Sequence, residues 1–341
     1  LEREAAVDSR PSKSAEVLDF AGWQATITEH TGMDVDDLVR SITGNQDVSH
    51  TMTQAALDDM VTAAVGELSD TKSSWTRGDF KAELTRVLPP GLAVSPAELV
   101  GFINTQTDRA LDELVQVTPV TVDRPNRHWT TPDVLGQEAR VLERFDRATT
   151  VEIAPNPTVT THAPEWLDDL QVAAAARVAS DSDFELVVGL AGAGKTTMLH
   201  TAVTTLHEEG RDVFGVAPSA AAADVLGTET DMPTENISKF LWEHTQRTEG
   251  PGEEFRLESG GTLIVDEAGM VSTPQWDQIT ELAQTNSWRI VAVGDGYQFS
   301  AVGRGGIFDH LTSTLPDHRI SRLEQVHRFD SAWEADASAQ L

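Results

Sequence analysis

The residues best able to do chemistry lie in Gly189-Leu-Ala-Gly-Ala-Gly194-Lys195-Thr196. This stretch fits G-x-x-x-x-G-K-[ST] at every fixed position, a pattern whose glycines let successive amide groups curl toward phosphate oxygens. Gly189, Gly192 and Gly194 supply that freedom, and Lys195 supplies a full positive charge at the start of a helix whose N-terminus adds a partial one. The Thr196 hydroxyl, with Thr197 behind it, is placed to hold Mg²⁺ beside a bound nucleotide such as ATP. A second acidic site completes such chemistry. Thr262-Leu-Ile-Val-Asp266-Glu267-Ala268 ends an apolar strand in an Asp suited to bind Mg²⁺ through water, followed by a Glu suited to polarise an attacking water. A further strand ends in Val291-Ala-Val-Gly294-Asp295-Gly296-Tyr297-Gln298, which brings a polar turn to a strand end.

Elements of a particular kind must carry these groups. Phe184–Val188, Val213–Ala217, Leu263–Val265 and Ile290–Val293 are short apolar runs, each followed by a turn or a helix start, as in strands buried on both faces. A helix is predicted from Lys195 to Leu206. The expected fold class is α/β, a P-loop parallel sheet over residues 165–341. Residues 1–70 read as helical, with apolar periodicity over Ala15–His30, Val35–Ile42 and Ala55–Leu68. Over 71–150, a helix opening near Ser73–Phe80 and stopping at Pro89-Pro-Gly91 is followed by one from Ser95 to about Leu114. Two β-like pieces, Val115–Val122 and His128–Thr131, and a helix from Pro132 to Phe145 complete that stretch, in the outline of a winged-helix module or a generic helical spacer. The Thr, Pro, Asn and Ala composition of 151–164 predicts a linker.

Composition narrows the function classes. The 341 residues hold 25 Lys+Arg against 55 Asp+Glu, a net charge of −30, and no cysteine. Disulfides, thiol catalysis, thiolate zinc and iron–sulfur sites are excluded, and a cytoplasmic location is the expectation. No apolar run reaches the roughly 18–20 residues of a membrane span. The absence of an initiator Met predicts a piece of a longer polypeptide. The acidity disfavours a broad nucleic-acid-binding surface. The ten His lack metal-ligand spacing, and the eight Trp, including Trp23, Trp75, Trp242 and Trp288, are expected in packing rather than as base-stacking platforms.

Taken together, the motifs over residues 165–341 resemble the RecD-like branch of superfamily 1 DNA helicases, and within it the helicase modules of TraI/TrwC-type conjugative relaxases. The resemblance implies a RecA-like first motor domain that uses ATP and Mg²⁺ to act on single-stranded DNA. It implies that Gln171 reads adenine, and that Gln298 and Arg328 contact the γ-phosphate in the third and fourth motifs, alongside Lys195 and Glu267 in catalysis. Pro218 and Ser219, in Gly215-Val-Ala-Pro-Ser219, and Lys239, in Asn236-Ile-Ser-Lys-Phe-Leu241, fall where such proteins touch DNA. Ser74-Trp-Thr-Arg-Gly-Asp79 and His128-Trp-Thr-Thr131 resemble the segment before the helicase. The family adds a second RecA-like domain and an N-terminal relaxase domain; both are expected outside this chain, so the piece is expected to bind nucleotide without unwinding DNA alone. Two other readings stay open: a P-loop small-molecule kinase, although no Arg-rich lid lies between Arg247 and Arg289, and a non-catalytic DNA-binding or assembly module that retains a nucleotide site.

Overall fold

The computed structural model describes residues 28–30, 32, 53–88, 96–151, 153–295 and 304–324. The helices predicted over Val35–Ile42 and most of Ala15–His30, with Trp23, and the predicted site residues Gln298 and Arg328, lie outside the described residues.

Six parallel strands form the larger sheet: β4 (Phe184–Gly189), β5 (Val213–Ala217), β6 (Thr234–Asn236), β7 (Thr262–Val265), β8 (Arg289–Gly294) and β9 (Ile320–Leu323). Their order is β6-β5-β7-β8-β4-β9, with β4 between β8 and β9. Residue alternation explains why apolar runs on both faces suit these strands. Leu186, Phe214, Val265 and Ala292 face one core. Val187, Ile264, Val291 and Val293 face the other.

The second face is covered by α6 (Asp169–Val178), α7 (Lys195–Glu208) and α8 (Ala220–Thr230). Ala174, Ala175 and Ala176 of α6 are buried, and their small side chains suit close packing. The first face is covered by α9 (Ile237–Thr245), α10 (Thr273–Asn286) and α11 (Ile307–Thr314). A further helix from the N-terminal half, α4 (Pro132–Ala148), joins this core. Its Phe145 ring lies 4.5 Å from Phe184 and 5.5 Å, edge-on, from Trp276. Packing therefore carries α4 into the sheet core, although it precedes the composition change near residue 150.

The segment 151–164 differs from a plain linker. Helix α5 (Pro157–His162) is capped by the Asn156 side chain, and the fully buried Val159 docks it onto the second face. The composition there reads as polar, but one apolar anchor and one cap suffice to order a short helix.

The smaller β-structure lies earlier in the chain. The order is α1 (Gln54–Thr71), β1 (Trp75–Thr76), α2 (Arg77–Arg86), α3 (Pro96–Glu113), β2 (Val115–Gln116) and β3 (His128–Thr130). The three strands pair antiparallel in the order β1-β3-β2, Trp75 opposite Trp129. Strand β2 is shorter than the predicted Val115–Val122 because the chain leaves the ladder into a loop. Arg127 pins that loop by donating to the Val122 and Val120 carbonyls at 2.9 and 2.7 Å. A reciprocal capping box between Thr76 and Asp79 starts α2. The helices and the β2–β3 pair fall where 71–150 was expected to place two helices and a ribbon, whereas β1, which pairs with β3, was not expected. No helix among the described residues is long and apolar enough to cross a membrane.

Candidate phosphate and metal site

All six strands of the larger sheet run the same way, so every segment that follows a strand emerges at one edge, where open parallel sheets place their ligands. The phosphate loop follows β4, Pro218 and Ser219 follow β5, Lys239 lies in the helix after β6, and Asp266 and Glu267 follow β7. Asp295 follows β8. Separate stretches of sequence thus converge through topology alone.

An open cleft of about 780 Å³ sits at this edge, and its walls include Gly192, Gly194, Lys195, Thr196, Thr197, Asp266 and Glu267. Gly192 and Gly194 adopt φ of 83° and 75°, a left-handed backbone that side chains resist, so these two loop positions need glycine. Gly194 is the N-cap of α7 and leaves the first amides of that helix without a side-chain cap. Gly189 answers to space instead: a Cβ there would lie 3.0 Å from Leu323 Cβ and 3.2 Å from the Lys195 stem. Lys195 Nζ donates to the Gly189 carbonyl at 2.7 Å and the Leu190 carbonyl at 3.3 Å, so its charge is held at the loop.

The acidic half of the site is electrostatically strained. Burial pushes the Asp266 carboxyl above its ordinary range, against the opposing pull of Lys195. Burial also raises Glu267, and the charge of neighbouring Asp266 raises it further. Glu267 sits at φ 51°, a left-handed conformation in a residue with a Cβ. A cleft that curls amides around a lysine and faces it with partly buried carboxylates suits an Mg²⁺-bound polyphosphate. The anion would meet the loop and the cation the carboxylates.

Gln171 is buried as the third helical residue of α6; its Oε1 accepts from the Asp168 amide and its Nε2 donates to the Ala193 carbonyl at 3.4 Å, tying it to the phosphate loop. Ser219 uses its hydroxyl to cap α8. Lys239 pairs with Glu235 at 2.7 Å and lies over the Phe255 ring at 4.9 Å. Trp75 and Trp288 are buried as expected, but Trp242 is 53% exposed, on the outer face of α9 beside Lys239. The helical period leaves it there because the buried stripe runs through Ile237, Phe240 and Leu241.

Two further contributors to the site carry no motif of their own in the sequence. The Asp295 carboxylate accepts from the Ala191 amide at 3.0 Å and so braces the phosphate loop from the neighbouring strand. Its position directly after β8 was the available signal. Helix α8 lines the cleft through Ala221, Ala222, Val225 and Glu229, and no local pattern marks that contact.

The AAA domain family model matches residues 166–341. The chain is 32% identical over 177 residues to a probable conjugal transfer protein TraA of Sinorhizobium fredii, covering 51% of this chain and 15% of that protein. A conjugal transfer protein TraA of Rhizobium radiobacter is 32% identical over 177 residues, covering 52% of this chain and 15% of the relative. The matched stretch therefore spans about a seventh of these relatives' length. Among solved structures, a Pif1 helicase from Candida albicans gives 19% identity and a TM-score of 0.35, covering 48% of this chain and 40% of that one.

Proposed function

The chain belongs to the AAA domain family, and from that premise we propose that it is the ATP-binding first motor domain of an ATP-dependent single-stranded-DNA translocase, a helicase acting in conjugative plasmid transfer. The observation that carries this reading is the meeting of the phosphate loop with Asp266 and Glu267 around one cleft. The conjugal transfer relatives supply the biological context.

Bound ATP with Mg²⁺ supplies an activated phosphoanhydride and the neutralisation of its charge. The loop amides and Lys195 hold the phosphates, the lysine exchanging its carbonyl partners for phosphate oxygens. Thr196 and Asp266 would hold the metal. Glu267 orients the attacking water and takes its proton, and the raised affinity for protons that burial confers suits a general base. Gln171 reads the adenine, and Gln298 and Arg328 sense the γ-phosphate. Pro218, Ser219 and Lys239 face the DNA strand, for which Lys239 must exchange its Glu235 partner. A second RecA-like domain closing over the edge completes the cleft, and its opening and closing moves the strand.

The test is titration of a fluorescent ATP analogue with Mg²⁺ into the wild type and Lys195→Ala. The substitution is expected to weaken binding by roughly 10- to 100-fold, the worth of a charged hydrogen-bonding group. Binding indifferent to the substitution rejects the site. Oligo-dT binding that does not weaken as salt rises rejects the DNA half of the reading.

A further inference from the structure

A second cleft, of about 640 Å³, lies in the N-terminal module and is lined by Arg77, Lys81, Asn104, Asp108 and Arg124. Three elements meet there: the first turn of α2, the middle of α3 and the β2–β3 loop. The loop is held in shape by the hydrogen bonds from Arg127 to its carbonyls, which fixes the stretch that presents Arg124.

Charge sets this place apart. Between residues 72 and 131 the chain has seven basic and seven acidic side chains, so a module of no net charge sits within a chain of −30. Within the cleft itself, Arg77, Lys81 and Arg124 face one carboxylate. Asp108 Oδ1 accepts from Arg77 Nε at 2.9 Å and from Arg124 Nη2 at 3.1 Å, while Arg77 also reaches Asn104 Oδ1 at 3.4 Å. The hydrogen bond from Arg77 holds the Asp108 carboxyl below its usual range. A single anionic group is thus gripped by two guanidinium groups, with Lys81 beside it and an excess of positive charge remaining. Guanidinium forks grip phosphate oxygens with the same geometry as carboxylate oxygens.

We propose that the cleft formed by Arg77, Lys81 and Arg124 binds backbone phosphate of duplex DNA, with Asp108 acting as an internal stand-in that the phosphate displaces. Helix, strand, two helices and a hairpin is also an arrangement that can lay a helix pair and a loop along a duplex. Helix α3 carries Glu98, Asp108, Asp112 and Glu113 against Arg109, which repels it from the floor of a groove. The interaction is therefore with the backbone and independent of base sequence. The inference shares its DNA partner with the proposed function but rests on its own residues.

The test is fluorescence anisotropy of a labelled duplex with the whole chain at about 50 mM salt, where attraction to phosphate is strongest. Lys81→Ala/Arg124→Ala is expected to weaken binding roughly tenfold and to make the slope of log K against log salt shallower by about 2, one for each phosphate no longer neutralised. Asp108→Asn is expected to tighten binding, because it removes the internal competitor; a purely structural role for Asp108 would weaken it instead. A scrambled duplex is expected to bind equally. Absence of duplex binding, unchanged affinity in the double variant, or weaker binding by Asp108→Asn with unchanged thermal stability each overturns the proposal. A single-stranded probe losing affinity in the double variant while the duplex does not would assign the cleft to single strands and overturn the duplex assignment. Lys195→Ala, run in parallel, is expected to lose the ATP analogue and keep the duplex, so failure of the nucleotide site and failure of this cleft are read separately.

Discussion

Carboxylates at two places within the α/β unit, one buried and the other partly buried, meet opposite surroundings. Between α4 and α10, Asp277 is 8% exposed and fully partnered. Arg140 donates to Oδ2 at 2.6 Å and Arg144 to Oδ1 at 2.7 Å; Arg144 also reaches the Asp277 carbonyl at 3.0 Å and the Thr280 hydroxyl at 3.1 Å. At the carboxyl edge, Asp266 and Glu267 feel one lysine, whose ammonium also donates to the Gly189 and Leu190 carbonyls. One arrangement is a joint whose charges cancel within the chain. The other leaves negative charge in a poorly solvated place that an added cation would relieve. Similar residue types thus sit in an ion-paired joint at one place and beside an open cleft, with burial raising their proton affinity, at the other.

The sharpest way to break this comparison is Asp277→Ala. It leaves two arginines facing a buried position, and removing one partner of a buried ion pair typically costs about 3–5 kcal/mol. Because Arg140 is half exposed and can turn to water, about 3 kcal/mol is expected, read from urea denaturation. Affinity for the ATP analogue is expected to stay near the wild-type value where the protein remains folded. A parallel loss of nucleotide binding would show that joint and site are one electrostatic system.

A smaller effect of opposite sign is expected at the edge. Glu267 holds φ 51°, where glycine suffers no Cβ penalty. Glu267→Gly also removes a like charge from beside Asp266, so it is expected to stabilise the nucleotide-free protein by about 1 kcal/mol, the cost of left-handed backbone in a residue with a Cβ. ATP turnover should be lost at the same time. A destabilised variant would mean that the edge is not strained, and the contrast with Asp277 would fail.

The two regions also differ in how readily the sequence reveals them. The phosphate loop and Asp266–Glu267 are local patterns, because amides curling round a phosphate need glycine and lysine at fixed spacing, and strand-then-acid is contiguous. Four of the six strands were equally readable, since burial on both faces forces continuous apolar runs; β6, polar throughout, and β9, broken by Ser321 and Arg322, were not. Asp277 was not readable. It lies mid-helix in a polar stretch, and its partners are more than 130 residues earlier. Val159 within a polar segment, and α4 packing across the composition boundary, escaped for the same reason: long-range packing leaves no local period. The exposure of Trp242 needed the register of α9, which composition does not carry.

The smallest expected effect is a pH dependence that separates the two regions further. Asp266 and Glu267 both have folded-state affinities for protons raised by burial above those of the unfolded chain. Between the ordinary carboxylate range and these raised values, the folded state therefore holds more protons than the unfolded state, and stability falls as pH climbs through that window. Asp266→Asn deletes one of the two groups and also removes the charge that raises Glu267, so the slope should flatten more than the loss of one carboxyl alone predicts. Glu185, raised by its own burial against the pull of Arg177, contributes equally to both proteins and cancels from the difference. Unfolding free energies at half-unit steps from pH 4 upward give the two slopes. The difference should remain below about 1.4 kcal/mol per pH unit for each whole proton involved. If the wild type is no steeper than Asp266→Asn, the negative charge at this edge is already compensated within the chain, and the edge would resemble the Asp277 joint after all.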